Sequence, residues 1–278
     1  MRFNKFIFTL LLIIFVLEAG FAQRESTPHA LLTSRDRIRQ NSHLIDRARR
    51  LEDEKRFDRV IKLLRDVLSS GKINDYKIYC ELGFAYAQNR DLERAKKYLE
   101  NAITLQPDFP IAHNQLGRLV YKQNRTASFM ALFFYNLLAP HSIEASQNLS
   151  YLKELLIRPV FTASHNEKPL DDFSSVDAIM NAKNSINQSL SNDYPAYFLM
   201  RLDWLCISLM ENSADQTSFF WRFYAPYFID MYKLHYSKAA VWSLFGQPAE
   251  DPELANEVKG FNKWSKKYIL RRLCDFSD

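Results

Sequence analysis

The pattern of apolar and polar positions changes little along most of the chain. Between residues 41 and 157, apolar side chains recur at every third or fourth position, with charged residues between them. This spacing places the apolar side chains on one face of an α-helix. The chain also contains only 6 Gly among 278 residues, which disfavours turn-rich β folds and glycine-rich phosphate loops. The sequence therefore predicts an all-α protein.

Residues 76–109 show a second pattern, in which small residues and large apolar residues occupy set places within 34 positions. Small residues stand where two antiparallel helices would touch, large ones fill the gaps, and Pro107 is placed to end the second helix. The residues that fill these places are Tyr79, Leu82, Gly83, Tyr86, Ala95, Leu99, Ala102 and Pro107. The segment resembles a tetratricopeptide repeat, which implies a pair of antiparallel helices.

Two weaker units flank this repeat. A unit starting at Pro110 repeats the Leu116–Gly117 pair, but it has Phe129 where a small residue is expected. A degenerate unit starts near Asn41, and residues 142–157 are typical of a capping helix. Residues 41–157 are therefore expected to form a short tetratricopeptide superhelix of about three helix pairs plus the capping helix, because each pair buries its core only against its neighbours.

The remaining chain, residues 174–278, is predicted to be an irregular helical C-terminal domain rich in aromatic residues. Residues 158–173 contain two Pro and no periodicity, so we interpret them as a linker. Helices are expected over residues 174–190 and 195–210, in a short segment with Trp242 and Phe245, and in a last helix from about Pro252.

Seven of the ten residues in 219–228 are aromatic, with Pro226 inside the run. Such a segment is typical of a buried helix, here kinked at the proline. The sequence also allows an exposed aromatic groove for a glycan or peptide, or insertion into a membrane. Phe261, Trp264 and Tyr268 form an aromatic stripe on the last helix that we expect to pack against this segment.

The first 22 residues are typical of a secretory signal peptide. Arg2 and Lys5 precede a stretch of twelve apolar residues, 6–17, which is too short to span a bilayer comfortably, and small residues follow it. We expect cleavage before Gln23, a flexible segment over residues 23–40, and no transmembrane segment in the mature chain. An uncleaved membrane anchor is the alternative.

The chain also resembles a group of exported tetratricopeptide proteins from Gram-negative bacteria that has no established activity. The resemblance rests on the signal peptide, the repeats, the FYAPYF stretch at 223–228 and FNKWS at 261–265. It implies a periplasmic location and carries no information about chemistry.

Charge and cysteines narrow the functional classes only slightly. The net charge of +5 permits an acidic partner, while no concentrated basic run indicates nucleic acid. Cys80, Cys206 and Cys274 are far apart and form no metal or redox motif, so buried thiols are expected, although one long-range disulfide is allowed.

No motif in the sequence points to catalysis. The six His show no metal-ligand spacing, and there is no GxSxG, so we predict a protein that is not an enzyme and uses no cofactor or metal. His113 falls at a packing position of its repeat and is expected in the core. An envelope enzyme, with an active site assembled from distant residues, stays a remote alternative.

The resemblance to tetratricopeptide repeats implies that the first helix of each pair lines a concave groove. The carboxylate clamp known from some of these domains does not fit, because Ile45 and Ile111 stand where it requires Lys and Glu81 where it requires Asn. A mixed groove for an acidic peptide or a helix remains, and a solvated face without a ligand, or a groove filled by the capping helix or linker, are the alternatives. The candidate partner-binding residues are Arg49, Lys77, Phe84, Asn114, Arg118, Tyr121 and Lys122.

We therefore expect a non-catalytic adaptor or scaffold of the cell envelope with a protein or peptide partner. The alternative is a structural or assembly factor docked peripherally at a membrane through its aromatic C-terminal domain.

Overall fold

A computed structural model describes residues 34–71, 74–157, 173–182, 194–213, 217–246 and 251–275. The predicted signal peptide, residues 1–22, lies outside the described residues, as do residues 158–172 of the predicted linker and 183–190 of the predicted helix 174–190. The chain divides into two units, Met1–His43 and Leu44–Asp278. Of the first unit, the structure describes residues 34–43, which are helical and begin before the predicted start of the array at Asn41.

The described residues form helices and contain no strand, so the predicted all-α fold with tetratricopeptide-like helix pairs is confirmed. The helices are α1 (Ser34–Asp53), α2 (Phe57–Ser69), α3 (Tyr76–Gln88), α4 (Leu92–Leu105), α5 (Pro110–Val120), α6 (Arg125–Leu138), α7 (Ile143–Ile157), α8 (Ser174–Ala182), α9 (Tyr194–Glu211), α10 (Phe219–Phe223), α11 (Ala225–Lys233), α12 (Ser237–Phe245) and α13 (Pro252–Asp275).

Short polar side chains start the helices of the array. The side chains of Asp75, Asp91 and Asn124 each accept a hydrogen bond from a backbone N–H in the first turn of the helix that follows. These bonds satisfy donors that have no partner inside the helix. Pro110 stands at the start of α5, where its missing N–H costs nothing.

The two glycines of the repeat signature mark the closest approach within each helix pair. A Cβ atom on Gly83 would lie 2.6 Å from Leu99 Cγ, and one on Gly117 would lie 2.7 Å from Leu132 Cγ. Both distances are below any normal carbon–carbon contact, so only glycine allows the two helices to pack this closely.

The third pair differs from the sequence-based alignment by one residue. Ser128 is fully buried and donates a hydrogen bond to Gly117 O at 2.8 Å, so the residue of α6 that approaches the glycine is Ser128. The expectation that Phe129 occupies this small-residue position was therefore wrong. The segment from Gly117 to its contact residue Leu132 is one residue shorter than the segment from Gly83 to Leu99, which turns Phe129 away from α5.

Phe129 and its neighbours on α6 instead join the array to the C-terminal helices. Phe129 lies 6.2 Å from Phe198 of α9, and Phe133 lies 5.1 Å from Phe228 of α11, measured between ring centroids. These rings belong to one hydrophobic core that includes residues of α3 to α13. The separate C-terminal domain over residues 174–278 stays a prediction.

The aromatic segment 219–228 is buried, which confirms the interpretation as core. The helix breaks at Tyr224, two residues before Pro226, and continues as α11. Phe220, Tyr224 and Phe228 are fully buried. A proline near the start of a helix removes no hydrogen bond from it, which explains the position of the break.

The stripe on α13 packs where it was expected. The ring of Tyr227 lies 5.0 Å from Trp264 and 5.3 Å from Tyr268, and its hydroxyl donates to Ser265 Oγ at 2.9 Å. The last helix therefore closes the aromatic core from the outside.

A buried arginine ties the ends of α7 and α8 together. Arg201 of α9 is fully buried and donates to Leu156 O at 2.9 Å and to Met180 O at 3.0 Å. Both acceptors lie in the last turns of their helices, where carbonyl groups lack helical partners and carry the negative end of the dipole. Burial lowers the pKa of Arg201 to about 10.

Among the described helices, none has both the length and the apolar composition needed to cross a bilayer.

Candidate functional site

The candidate binding surface is formed by the first helices of the pairs together with the capping helix, because side-chain contacts join α1 to α3, α3 to α5 and α5 to α7. We call it the first-helix face. It comprises the seven predicted residues and four that the structure adds: Arg49, Glu52, Lys77, Glu81, Phe84, Asn114, Arg118, Tyr121, Lys122, Asn148 and Tyr151.

A network of contacts holds Arg118 at the α5–α7 end of this face. Its Nε donates to Asn114 Oδ1 at 3.2 Å and its Nη2 donates to Asn148 Oδ1 at 3.3 Å. The guanidinium also lies over the ring of Tyr151, 5.3 Å from its centroid, as in a cation–π contact. Asn148 Nδ2 in turn donates to Asn114 Oδ1 at 3.0 Å. Arg118 is nonetheless exposed, so its position is fixed while its charge faces solvent.

Tyr121 completes this end of the face. Its ring meets that of Tyr151 edge-on, with centroids 5.3 Å apart, and it is half-buried. Lys122, the next residue, is exposed. The structure thus brings four of the predicted residues together, Asn114, Arg118, Tyr121 and Lys122.

Lys77, a predicted residue of α3, lies apart from the group around Arg118. Lys77 is exposed at the start of α3, and its ammonium lies 5.7 Å from the centroid of the Tyr76 ring. It adds positive charge to the first-helix face at the amino-terminal end of α3.

At the α1–α3 end, Arg49 is engaged by an acidic residue. Its guanidinium forms a salt bridge of 2.9 Å with Glu81, whose side chain is only 12% exposed. Glu52 lies nearby; its Oε1 is buried and has no hydrogen-bond partner among the described residues. Burial and the neighbouring Glu81 raise the pKa of Glu52 to about 7. The charge of Arg49 is therefore balanced by Glu81, which makes Arg49 a poorer candidate than Arg118 for binding an acidic partner.

Phe84 serves packing as well as the surface. Its ring meets Phe57 of α2 edge-on at 6.2 Å, and it is half-buried. A neighbouring inward position, Cys80, is buried, and its thiol donates to Gln115 Oε1 at 3.4 Å. The middle of the first-helix face is therefore largely occupied by contacts between helices.

Sequence reasoning missed Asn148 and Tyr151 of α7, which carry much of the network around Arg118. The apolar spacing of residues 142–157 indicated a capping helix but did not show which side turns toward α5. The polar residues of that helix were the available signal, since they can pair with the polar side chains of α5.

His113 has a structural role, as expected. It is fully buried, with Nε2 2.8 Å from Pro107 O and Nδ1 2.6 Å from the Tyr224 hydroxyl. The Pro107 carbonyl can only accept, so Nε2 donates to it, and Nδ1 accepts a hydrogen bond from the Tyr224 hydroxyl. Burial lowers the pKa of His113 to about 4, which keeps the ring neutral.

Other reactive groups do not gather into a site within the described part of the chain. Cys80 and Cys206 are buried free thiols, and burial raises the pKa of both. The described His, Cys, Asp and Glu residues form no group of three that would hold a metal ion.

Comparison with protein families agrees with the geometry of the middle pair. Residues 76–109, which span α3, α4 and the turn that follows, match the family model described as tetratricopeptide repeat. Comparison with curated proteins and with solved structures gave no match. The matched repeat suggests a role in protein–protein interaction, and it is compatible with a protein that is not an enzyme.

Proposed function

We propose that this protein is a non-catalytic adaptor of the cell envelope that binds an acidic peptide or helix of a protein partner at the α5–α7 end of the first-helix face. The observation that carries the proposal is the held and exposed guanidinium of Arg118. Lys122 extends the positive charge, and Tyr121 and Tyr151 supply aromatic surface beside it.

Pre-organisation favours this end of the face over the rest. A free arginine side chain loses rotamer freedom when it binds, which opposes association. Arg118 has already lost part of that freedom, because Asn114, Asn148 and Tyr151 position it in the unbound protein. Arg and Tyr are also the residue types most often dominant at interfaces.

The alternatives receive less support from the described residues. A membrane dock through the aromatic segment would use side chains such as Phe223 and Phe228, yet these are buried in the core. For an envelope enzyme, the described residues provide no group of three His, Cys, Asp or Glu side chains that could hold a metal ion.

A charge reversal tests the proposal. The tagged protein is crosslinked to its partners in the cell, and the captured proteins are compared between wild type and Arg118→Glu. We expect at least one partner to be lost, since an exposed negative charge would face the acidic segment. Circular dichroism checks that the variant is folded.

Arg59→Glu is the matched control, because Arg59 is an exposed residue of α2, a second helix. It makes the same change of charge away from the first-helix face and is expected to retain every partner. A partner set that is identical in wild type and Arg118→Glu, or equally depleted in both variants, would reject this site.

The envelope location is proposed from residues 1–22, which have the composition of a signal peptide. Mass spectrometry of the protein recovered from the periplasmic fraction is expected to find Gln23 as the first residue. Recovery of the uncut chain from the cytoplasm would contradict the location without bearing on the binding site.

A further inference from the structure

We infer that a cleft between the end of α6, α12 and α13 is a second binding site, which accepts an apolar amino acid or dipeptide with a free ammonium and a free carboxylate. The cleft is separate from the first-helix face, so the inference does not rest on the function proposed above.

The cleft is large enough for such a ligand. Its volume is about 390 Å³, whereas small-molecule sites measure about 300–1,000 Å³ and packed interiors leave few voids larger than a water molecule. Trp264 of α13 packs against Tyr227 of the aromatic core. Beyond this contact, α13 leaves a gap next to Leu137 and Leu138 at the end of α6, and this gap is the cleft.

One part of the lining is apolar. Leu137, Leu138 and Pro140 contribute to it from α6 and the turn that follows, and Ile269 and Leu270 from α13. Leu270 is 40% exposed, unusual for a leucine of this core region. An apolar side chain in the cleft would remove this surface from water, which favours binding.

The rest of the lining carries groups of opposite charge. Asp108 stands in the turn before α5, where one carboxylate oxygen accepts from Gln106 Nε2 and the other is available. Lys266 of α13 is exposed and forms no salt bridge within the described residues. A ligand with both charges would meet a partner of opposite sign for each.

One further group, the Asn262 amide, fits a ligand carboxylate beside Lys266. Asn262 accepts a hydrogen bond from Ser243 Oγ at 3.1 Å through its Oδ1, which fixes the amide orientation. Its Nδ2 group has no bonding partner among the described residues, and Asn262 lines the same cleft. Ammonium and amide donors together recognise a carboxylate better than either does alone.

The position of Asp108 is fixed by the core. The carbonyl of the preceding residue, Pro107, accepts from His113, and His113 accepts from Tyr224. The carboxylate therefore follows directly on an anchored backbone carbonyl, which restricts its position as a recognition group requires.

The test is a calorimetric titration of the purified protein with leucyl-leucine. We expect saturable binding to the wild type, weakened at least tenfold by Lys266→Gln and by Asp108→Asn. Lys267→Gln and Asp66→Asn are the matched controls, because these substitutions remove the same charges. Both residues are exposed, and neither lines the cleft. Both controls are expected to bind like the wild type.

Blocked ligands separate a free zwitterion from the end of a longer chain. N-acetyl-leucyl-leucine lacks the ammonium and leucyl-leucinamide lacks the carboxylate, and each is expected to bind at least tenfold more weakly. Equal binding of either blocked form, no saturable binding of leucyl-leucine, or equal losses in the control variants would overturn the inference. Arg118→Glu is expected to bind leucyl-leucine normally, so failure of one site is distinguishable from failure of the other.

Discussion

The helix pairs α3–α4 and α5–α6 have the same internal contact and different surroundings. In both, a glycine of the first helix lies against a leucine of the second, Gly83 on Leu99 and Gly117 on Leu132. Residues 93 and 94 of α4 are exposed, whereas every residue from 126 to 136 of α6 is buried. The difference shows that a repeat can keep its internal contact while its outer side becomes the core of another part of the protein.

The largest test of this comparison replaces matched residues of the two second helices. When Leu99 is aligned with Leu132, Asn101 corresponds to Phe134. Phe134 is buried and packs against Tyr224 at 4.9 Å and Tyr227 at 4.7 Å, whereas Asn101 is half-buried. We expect Phe134→Ala to lower the free energy of unfolding by about 3–5 kcal/mol. Asn101→Ala should change it by about 0.5 kcal/mol or less.

Urea unfolding followed by circular dichroism measures both values. Similar losses in the two variants would mean that the outer sides of α4 and α6 contribute equally to stability, against the comparison.

The glycines test what the two pairs share. Gly83→Ala and Gly117→Ala should each cost about 1–3 kcal/mol, because the added Cβ would overlap a buried leucine. Gly260→Ala in α13 is the control, since its Cβ would meet only Tyr236 Oη at 3.9 Å. It should stabilise the protein by up to about 1 kcal/mol through helix propensity. Thermal unfolding ranks the three variants, and a tolerated Gly117→Ala would show that the third pair is packed more loosely.

The smallest effect concerns matched positions of the two first helices, Tyr79 and His113. Tyr79 is half-buried and lies 6.1 Å from Tyr98, while His113 is buried and neutral. The pKa of His113 is lowered to about 4 in the folded protein, below about 6.5 in the unfolded chain. The unfolded chain thus binds the proton first, and stability present above pH 6.5 declines as the pH falls toward 4.

Between pH 7.5 and 5.5 this group should lower the free energy of unfolding by roughly 1 kcal/mol. The measurement is urea unfolding at several pH values, taken as the difference between wild type and His113→Asn. His141→Asn, which changes an exposed histidine, should follow the wild type. An unchanged pH dependence in His113→Asn would show that His113 is not the titrating group.

The helix pairs were predictable because their signals are local. The glycine, alanine and proline positions of residues 76–109 determine how α3 and α4 touch, and residues close in sequence make that contact. The starts of α5 at Pro110 and α13 at Pro252 were predictable for the same reason, since proline favours a first turn.

The one-residue shortening between Gly117 and Leu132 and the network around Arg118 were not predictable. A missing residue shifts a helix by about 100° and leaves its composition unchanged, so Phe129 and Ser128 exchange roles without a sequence signal. The contacts of Arg118 with Asn148 and Tyr151 depend on how α7 is rotated against α5, which no residue of α5 specifies.

The bond between His113 and Tyr224 joins residues 111 positions apart. Repeat arrays ordinarily fold by adding each unit to its neighbour, because every contact is short in sequence. Here the core of the third pair includes residues of α10 and α11, so we expect its completion during folding to depend on long-range contacts and to be slow. A chain truncated after α7 would expose Phe129, Phe133 and Phe134 together, and proteases and chaperones would recognise it as incomplete. Coupling the array to α9–α13 therefore makes those helices a condition for a stable first-helix face.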